Sequence, residues 1–282
     1  MIYSTLVSPE LLAMHANDPH WVVLDCRFSL GDPSRGRRDY AQGHLPGAVH
    51  ADLHDDLSGP IVPGRTGRHP LPDIDAFADK LGAWGISVDT QVVAYDEAAG
   101  TFAARPWWML RYMGHDAVAV LDGGLRRWRS EGRPMTTEIP QPHPCSFVAR
   151  ARRDRVANSA DVLARLDDPA WVIVDSRTPE RYRGEVEPID PVAGHIRGAI
   201  NLPFTENVDE RGVFLPTERL RRRFEPPLAG RGVDHTIFYC GSGVTAAHNL
   251  LAVAHAGLGD ALLYAGSWSE WITDPARPIQ TG

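Results

Sequence analysis

The chain has 282 residues, of which 43% are hydrophobic and 23% are charged, and its formal net charge at pH 7 is −7. This length suits one large domain or two smaller ones, and the hydrophobic content is enough for complete cores. The negative charge gives no reason to expect nucleic acid or an anionic membrane as a partner, and no apolar run approaches the roughly 18 residues that a membrane helix needs.

The elements predicted in the first half alternate between helix and strand. A helical stretch follows Ser8, a typical N-cap residue. Strands are predicted at 21–25, 92–95 and 117–121, where nearly every position is apolar, as in strands covered on both faces. A helix is predicted over 103–114. The first residues lack a basic region followed by an apolar core, so no signal peptide is expected.

The second half repeats the first. "WVVLDCR" (21–27) returns as "WVIVDSR" (171–177), and "GHLPGAVH" (43–50) returns as "GHIRGAIN" (194–201). Helices are again predicted, after Asn158 and over 245–257, and so are apolar strands, at 171–175, 236–239 and 261–264. Because this alternation occurs twice, we predict an α/β protein with a mostly parallel central sheet flanked by helices in each half.

The boundary between the two halves is predicted from composition. The segment 136–155 is rich in proline and basic residues and has no clear period. We therefore predict one domain at 1–135, a linker at 136–155 and a second domain at 156–282.

The cysteines are few and widely spaced. Cys26, Cys145 and Cys240 are odd in number, which argues against a disulfide framework and fits a reducing cytoplasm. No closely spaced group of His and Cys suggests zinc, so no metal is expected. Cys26 is expected to pack at a strand end, and Cys145 is expected to be exposed in the linker.

Cys240 lies where a predicted strand gives way to a predicted helix, in "TIFYCGSGVTAAHNLLAVAHAG" (236–257). In parallel α/β sheets this end of the strand is where ligands bind. Gly241 and Gly243 allow the loop to curl with its N–H groups turned inward, and the helix N-terminus adds positive potential. The setting favours an anionic, nucleophilic sulfur, although a cysteine at a strand end can also be a small buried hydrophobe.

The first half tests this interpretation, because it has Asp96 where the second half has Cys240. The scaffold therefore does not require a cysteine there, and only the second half is predicted to carry the chemistry. A cysteine-dependent phosphatase would need an arginine six positions after the cysteine to clamp phosphate. Ala246 stands at that position, so phosphate chemistry is not expected.

The two-domain layout, both "GHxxGA" turns, "RPWWMLRYMGH" (105–115), "LDGGLRRW" (121–128) and "CGSGVTA" (240–246) resemble the tandem-domain rhodaneses, or sulfurtransferases. The resemblance covers nearly the whole chain. It implies two rhodanese-like domains, of which only the C-terminal one is catalytic. It also implies that Cys240 accepts a sulfane sulfur as a persulfide and passes it on. No cofactor is implied. The expected partners are a small-molecule sulfur donor and a thiol acceptor such as thioredoxin, or cyanide.

The loop itself resembles one type within this family. Loops of the form "CRKGVT" are typical of enzymes that prefer thiosulfate, because two cations meet the dianion. "CGSGVT" (240–245) is similar to the loop of 3-mercaptopyruvate sulfurtransferases. The resemblance therefore implies 3-mercaptopyruvate as donor, with Gly241, Gly243, Val244 and Thr245 at the substrate. Thiosulfate as donor, or a persulfide carrier that serves a docked protein, is the alternative. A redox sensor would need a resolving cysteine, and none lies near Cys240 in the sequence.

Mercaptopyruvate enzymes also carry a Ser-His-Asp set that helps to deprotonate the substrate thiol. Matching by motif assigns Ser242 in the loop, His69 in "GRHPLP" and Asp52 in "GAVHADL" to this set. The implied chemistry is general base catalysis, with a carboxylate that orients the imidazole.

Two substrate-binding arginines are expected in this family after "DSR". Arg181 in "ERYRG" matches the first. At the place of the second the chain has Ile189 or Asp190, with Arg183 as a possible substitute. The carboxylate-binding site thus departs from the family pattern.

Residues that recur in both halves are interpreted as structural. His44 and His195 occupy matching turns, and Arg27 and Arg177 follow matching strands. We expect the arginines to be buried partners of acidic side chains.

Overall fold

The computed structural model describes residues 2–228 and 230–282, and the chain forms two compact units. The first unit runs up to Gly59 and includes Leu71–Arg152 and Glu210–Phe214. The second comprises Pro60–Pro70, Arg153–Asp209 and Leu215–Gly282.

The first unit is built on a parallel sheet, with five strands in the part of the chain that the structure describes and with the order β1-β5-β4-β2-β3. Its strands are β1 (Leu6–Val7), β2 (Trp21–Asp25), β3 (Ala48–His50), β4 (Gln91–Tyr95) and β5 (Val118–Leu121). Its helices are α1 (Pro9–Met14), α2 (Arg35–Gln42), α3 (Ile74–Ala83), α4 (Ala104–Tyr112) and α5 (Gly124–Ser130).

The second unit repeats this plan with the parallel order β6-β11-β10-β7-β9, and a short antiparallel pair joins β8 and β12. Its strands are β6 (Val156–Ala157), β7 (Val172–Asp175), β8 (His195–Ile196), β9 (Ile200–Asn201), β10 (Thr236–Tyr239), β11 (Leu262–Tyr264) and β12 (Ile279–Gln280). Its helices are α6 (Ser159–Leu163), α7 (Pro179–Arg183), α8 (Thr217–Leu228), α9 (Thr245–His255) and α10 (Ser267–Trp271), with short 3₁₀ turns at Arg153–Arg155, Phe204–Asn207 and Val233–His235.

The local signals in the sequence explain why these elements form. The central strands β4 and β10 are buried along their whole length, as their continuous apolar runs predicted. The Ser8 hydroxyl accepts a hydrogen bond from Leu11 N, and Asn158 forms a reciprocal capping box with Asp161. The predicted fold class, two mostly parallel α/β domains, is confirmed. No helix in the described residues is long and apolar enough to cross a membrane.

The predicted linker differs from the observed division of the chain. Residues 136–152 belong to the first unit, where Cys145 N donates to Gly82 O at 2.9 Å and Arg150 N donates to Met113 O at 2.8 Å. The proline-rich composition signalled the absence of helix and strand, yet the extended backbone finds partners at the ends of α3 and α4. Two short segments also fold with the unit that their place in the sequence does not suggest. Residues 60–70 belong to the second unit, and residues 210–214 belong to the first.

The recurring polar residues have equivalent structural roles. The Arg27 guanidinium lies 2.6 Å from the Asp25 carboxylate, and Arg177 lies 2.6 Å from Asp175, with all four side chains buried. A buried charge is tolerated when it is paired in this way, so the prediction for the arginines is confirmed. His44 and His195 each stack on a tyrosine and contact that tyrosine's backbone carbonyl, which supports their interpretation as turn residues.

Candidate active site

Cys240 follows the buried strand β10 directly, and α9 begins five residues later at Thr245. The cysteine is 1% exposed. Gly243 has a φ of +75°, and a Cβ on it would lie 2.3 Å from the Ala265 carbonyl oxygen. A side chain is therefore excluded at this position both by backbone conformation and by space. Gly241 has no such backbone angle, so its small size serves a different purpose.

The start of α10 holds the loop by its backbone. Trp268 N donates to Cys240 O at 3.0 Å, and Ser269 N donates to Gly241 O at 2.9 Å. Cys240 N donates to the Ser267 hydroxyl at 3.1 Å, and that hydroxyl donates to Tyr264 O at 2.9 Å. The carbonyls next to the thiol are thus engaged away from it.

The loop amides have the character of an anion site. In the described part of the chain, the N–H groups of Ser242, Val244 and Thr245 have no hydrogen-bond acceptor. These residues stand two, four and five positions after Cys240. Converging backbone N–H groups at a helix start favour negative charge, here a thiolate or a persulfide.

The equivalent loop of the first unit shows what such amides bind. The Asp96 carboxylate is buried there and accepts four backbone N–H bonds of 2.7 to 2.9 Å, from Ala98, Gly100, Phe102 and Ala103. Ala98 and Gly100 stand two and four positions after Asp96, like Ser242 and Val244 after Cys240. One loop is thus filled by its own carboxylate, and the other offers its amides beside a thiol.

Ser242 and His69 meet within the second unit. His69 Nδ1 lies 2.8 Å from Ser242 Oγ, and both side chains are buried. His69 belongs to this unit because residues 60–70 fold with it. Two members of the predicted Ser-His-Asp set are therefore brought together.

Asp52 lies in the first unit. Its Oδ1 accepts hydrogen bonds from His54 N at 2.8 Å and Asp55 N at 3.1 Å, and its Oδ2 lies 3.8 Å from His50 Nε2. Its predicted role beside His69 stays a prediction.

Arg181 lies next to the loop, and its predicted role in substrate binding stays a prediction. A Cβ on Gly241 would lie 3.5 Å from both terminal nitrogens of Arg181. The guanidinium is engaged by two acids: Nη2 lies 2.7 Å from Glu187 Oε1 and 3.3 Å from Asp190 Oδ2. Arg183 pairs instead with the exposed Glu185.

Arg68 is a cation at the loop that the sequence analysis missed. Its Nη2 lies 2.9 Å from the place that a Cβ on Gly241 would take, and its Nη1 bonds the Asp190 carboxylate. Burial raises the pKa of Asp190, although Arg68 acts in the opposite direction. The available signal was its position directly before His69, but nothing in the sequence indicated that it approaches residue 241.

The other cysteines lie in different surroundings. Cys26 is buried, and burial together with the Asp25 charge raises its pKa well above the ordinary value. Cys145 is exposed. Among the described residues, no group of three or more His, Cys, Asp or Glu side chains could hold a metal ion.

The rhodanese-like domain model matches the chain twice, at residues 8–131 and 158–274. The chain belongs to the rhodanese-like domain family. The two matches correspond to the two halves of the sequence repeat, and the second contains the Cys240 loop.

Relatives with curated names lie within this family. The chain is 50% identical over 283 positions to a probable 3-mercaptopyruvate sulfurtransferase of Pseudomonas aeruginosa, with all of both chains covered. It is 41% identical to a putative thiosulfate sulfurtransferase of Mycobacterium tuberculosis, over 98% of this chain and 96% of the relative.

A solved structure supports the same relationship. The SseA protein of Escherichia coli, described as a 3-mercaptopyruvate sulfotransferase, matches with a TM-score of 0.82 and 34% identity, over 95% of this chain and 100% of that one. These comparisons confirm the family and the sulfurtransferase class predicted from the sequence.

Proposed function

We propose that this rhodanese-family protein transfers sulfane sulfur from 3-mercaptopyruvate, through a persulfide on Cys240, to a thiol or to cyanide. The observation that carries the proposal is the hydrogen bond between Ser242 and His69 in the loop that follows Cys240. This contact supplies a proton acceptor beside the nucleophile, and mercaptopyruvate, unlike thiosulfate, has a thiol proton to lose.

In the first step the Cys240 thiolate attacks the sulfur of 3-mercaptopyruvate. An S–S bond forms, the donor's C–S bond breaks, and its electron pair leaves with the carbon as the enolate of pyruvate. The thiol proton of the donor then reaches that carbon, which gives pyruvate and a Cys240 persulfide anion. The loop amides stabilise the negative sulfur before and after the transfer.

In the second step an acceptor attacks the outer sulfur of the persulfide. With cyanide the products are thiocyanate and the Cys240 thiolate, so no external oxidant or reductant is needed. With a dithiol protein such as thioredoxin, in a reducing cytoplasm, the acceptor's own thiols supply the electrons that release the sulfur as sulfide.

Ser242 and His69 are proposed to move the thiol proton. Ser242 Oγ can donate to Nδ1 of His69 when the imidazole carries its proton on Nε2. The hydroxyl can then accept a proton from the donor thiol. Asp52 is proposed to orient the imidazole, as the carboxylate does in other triads.

Thiosulfate is the second candidate donor, and one observation favours it. Arg68 and Arg181 place two guanidinium groups beside Gly241, although the loop itself has no cation. With this donor the thiolate attack releases sulfite, and no proton has to be removed.

Steady-state kinetics with both donors test the proposal, with thioredoxin and cyanide in turn as acceptor. We expect a higher kcat/KM for 3-mercaptopyruvate, and a much higher value for thiosulfate would overturn the donor assignment. Cys240→Ser is expected to abolish turnover with either donor, while the exposed Cys145→Ser serves as the matched control. A persulfide that forms stably but turns over negligibly on small acceptors would indicate a carrier protein instead.

A further inference from the structure

The charges next to the Cys240 loop form a balanced cluster inside the second unit. Arg68 and Arg181 lie on the Gly241 side of the loop. Asp190 bonds both of them through different oxygens, Oδ1 to Arg68 and Oδ2 to Arg181. Glu187 bonds Arg181 at 2.7 Å. Two guanidinium charges are thus matched by two carboxylate charges.

Asp190 is held firmly in this bridging position. Its side chain is 3% exposed, and its backbone N–H donates to Glu187 Oε1 at 3.1 Å. Glu187 is itself bonded by the buried Arg177 at 3.2 Å. The carboxylate of Asp190 is therefore a fixed part of the site and not a mobile surface group.

The cluster also has capacity for a ligand. Nε of Arg68 is buried and has no acceptor among the described residues, which is unusual for a guanidinium donor. Arg68 and Asp190 line a cavity of about 330 Å³, together with Ile61, Ile189 and Ser269. This volume is of the size that small-molecule sites have.

We propose that Asp190 is a specificity-determining residue: as the internal counter-ion of Arg68 and Arg181, it disfavours dianionic donors such as thiosulfate relative to monoanionic ones. This inference rests on the proposed sulfurtransferase function. An ionised Asp190 repels every anion that approaches the loop, and it repels a dianion about twice as strongly as a monoanion at the same distance. Arg68 supplies the second guanidinium, and Asp190 limits its attraction for double charge.

The test replaces the charge and preserves the shape. In Asp190→Asn, kcat/KM for thiosulfate is expected to rise about tenfold or more, and that for 3-mercaptopyruvate by a smaller factor, because a like charge has been removed at close range. Asp167→Asn makes the same chemical change at a site that is 79% exposed, where Asp167 pairs with Arg197, and is expected to leave the donor ratio unchanged. The proposal would be overturned if the ratio of kcat/KM for thiosulfate to kcat/KM for 3-mercaptopyruvate were the same in Asp190→Asn as in Asp167→Asn.

A binding measurement separates this proposal from the proposed function. Sulfate and pyruvate are unreactive probes for the dianion and the monoanion, and calorimetry gives their Kd values for the parent and Asp190→Asn. Sulfate is expected to bind about tenfold more tightly in the variant, with a smaller change for pyruvate. If neither the parent nor Asp190→Asn turns over either donor, but sulfate still binds more tightly in the variant, the proposed function fails and the role of Asp190 stands. If the donors turn over and neither binding nor ratio changes, the role of Asp190 fails.

Arg68→Gln provides a second variant that does not depend on the folding of Asp190→Asn. Because it removes a guanidinium and retains the acid, both probes should bind more weakly, and sulfate should lose more than pyruvate. In the double variant with Arg68→Gln and Asp190→Asn, the gain in sulfate affinity should be smaller than the gain that Asp190→Asn gives alone. Parent-like affinities in Arg68→Gln would contradict the proposal.

Discussion

His69 Nδ1 lies 2.8 Å from Ser242 Oγ, although the two residues are 173 positions apart in the sequence. Both side chains are buried, so a proton transferred along this contact is shielded from bulk water. In the proposed mechanism, this contact distinguishes a donor with a thiol proton from a donor without one.

Ser242→Ala is expected to lower kcat with 3-mercaptopyruvate by about a hundredfold, the lower end of the range typical of general acid–base catalysis. With thiosulfate the loss should be much smaller, because no proton is removed, so the same variant with this donor is its own control. His69→Gln should give the same pattern, and the double variant should lose little more than either single one. Equal losses with both donors would indicate a structural role for the pair.

The three thiols are expected to differ in reactivity towards iodoacetamide at neutral pH. The exposed Cys145 should be alkylated without loss of activity, and alkylation of Cys240 should abolish activity. Cys26 should remain unmodified in the folded protein, because burial and the neighbouring Asp25 charge raise its pKa and keep it protonated at neutral pH. Peptide mass spectrometry measures the alkylation of each cysteine over time, and the residual activity of the same samples is compared with it. Retained activity after complete modification of Cys240 would remove it from the mechanism.

The two loop glycines are expected to respond differently to alanine. Gly243→Ala should cost about 1–3 kcal/mol in backbone strain alone and should displace the loop, since its Cβ would lie 2.3 Å from Ala265 O. Gly241→Ala should keep a Tm close to that of the parent, because the nearest atoms to its Cβ would be the guanidinium ends of Arg68 and Arg181, and its effect should appear in KM. Thermal unfolding and donor kinetics of the pair distinguish these outcomes, and equal Tm losses would be inconsistent with the loop geometry.

Asp96 is expected to matter for stability and not for chemistry. In Asp96→Asn one of the two side-chain oxygens becomes an NH₂ group, which cannot accept the backbone N–H bonds made to it. We expect a loss of about 1–3 kcal/mol in the free energy of unfolding, since these bonds are buried and made to a charge. Asp55→Asn makes the same chemical change at an exposed side chain and is the control for it. Activity at temperatures below the unfolding transition should be retained, and an inactive but natively folded Asp96→Asn would mean that Asp96 itself takes part in the reaction.

Stability is expected to fall as the pH is lowered from about 7 to about 5. Burial lowers the pKa values of His115 and His195 below the ordinary value of about 6.5. Between the folded and unfolded pKa values the unfolded chain binds more protons, so stability is present above about 6.5 and is lost below it. His115→Gln should reduce the change in Tm across this range, whereas the exposed His235→Gln should not. A pH dependence unaffected by His115→Gln would assign the loss to other groups.

The sequence by itself determined the features that depend on short stretches of chain. Buried parallel strands show as continuous apolar runs, so β4 and β10 were predicted within a residue or two. The repeat with its Asp96–Cys240 difference predicts that the chemistry lies in the second half. Cys240 was identifiable because strand, glycine loop and helix follow one another directly.

Tertiary structure alone decided which side chains surround that loop. Arg68 and Asp190 are 122 positions apart, and no local pattern relates them, since their proximity depends on segment 60–70 folding with the second unit. The sequence showed that Ile189 or Asp190 stands where the family has its second arginine. The structure shows that an acid stands there instead and that a cation from another segment offsets it, because charges beside a buried loop must balance wherever in the chain they originate.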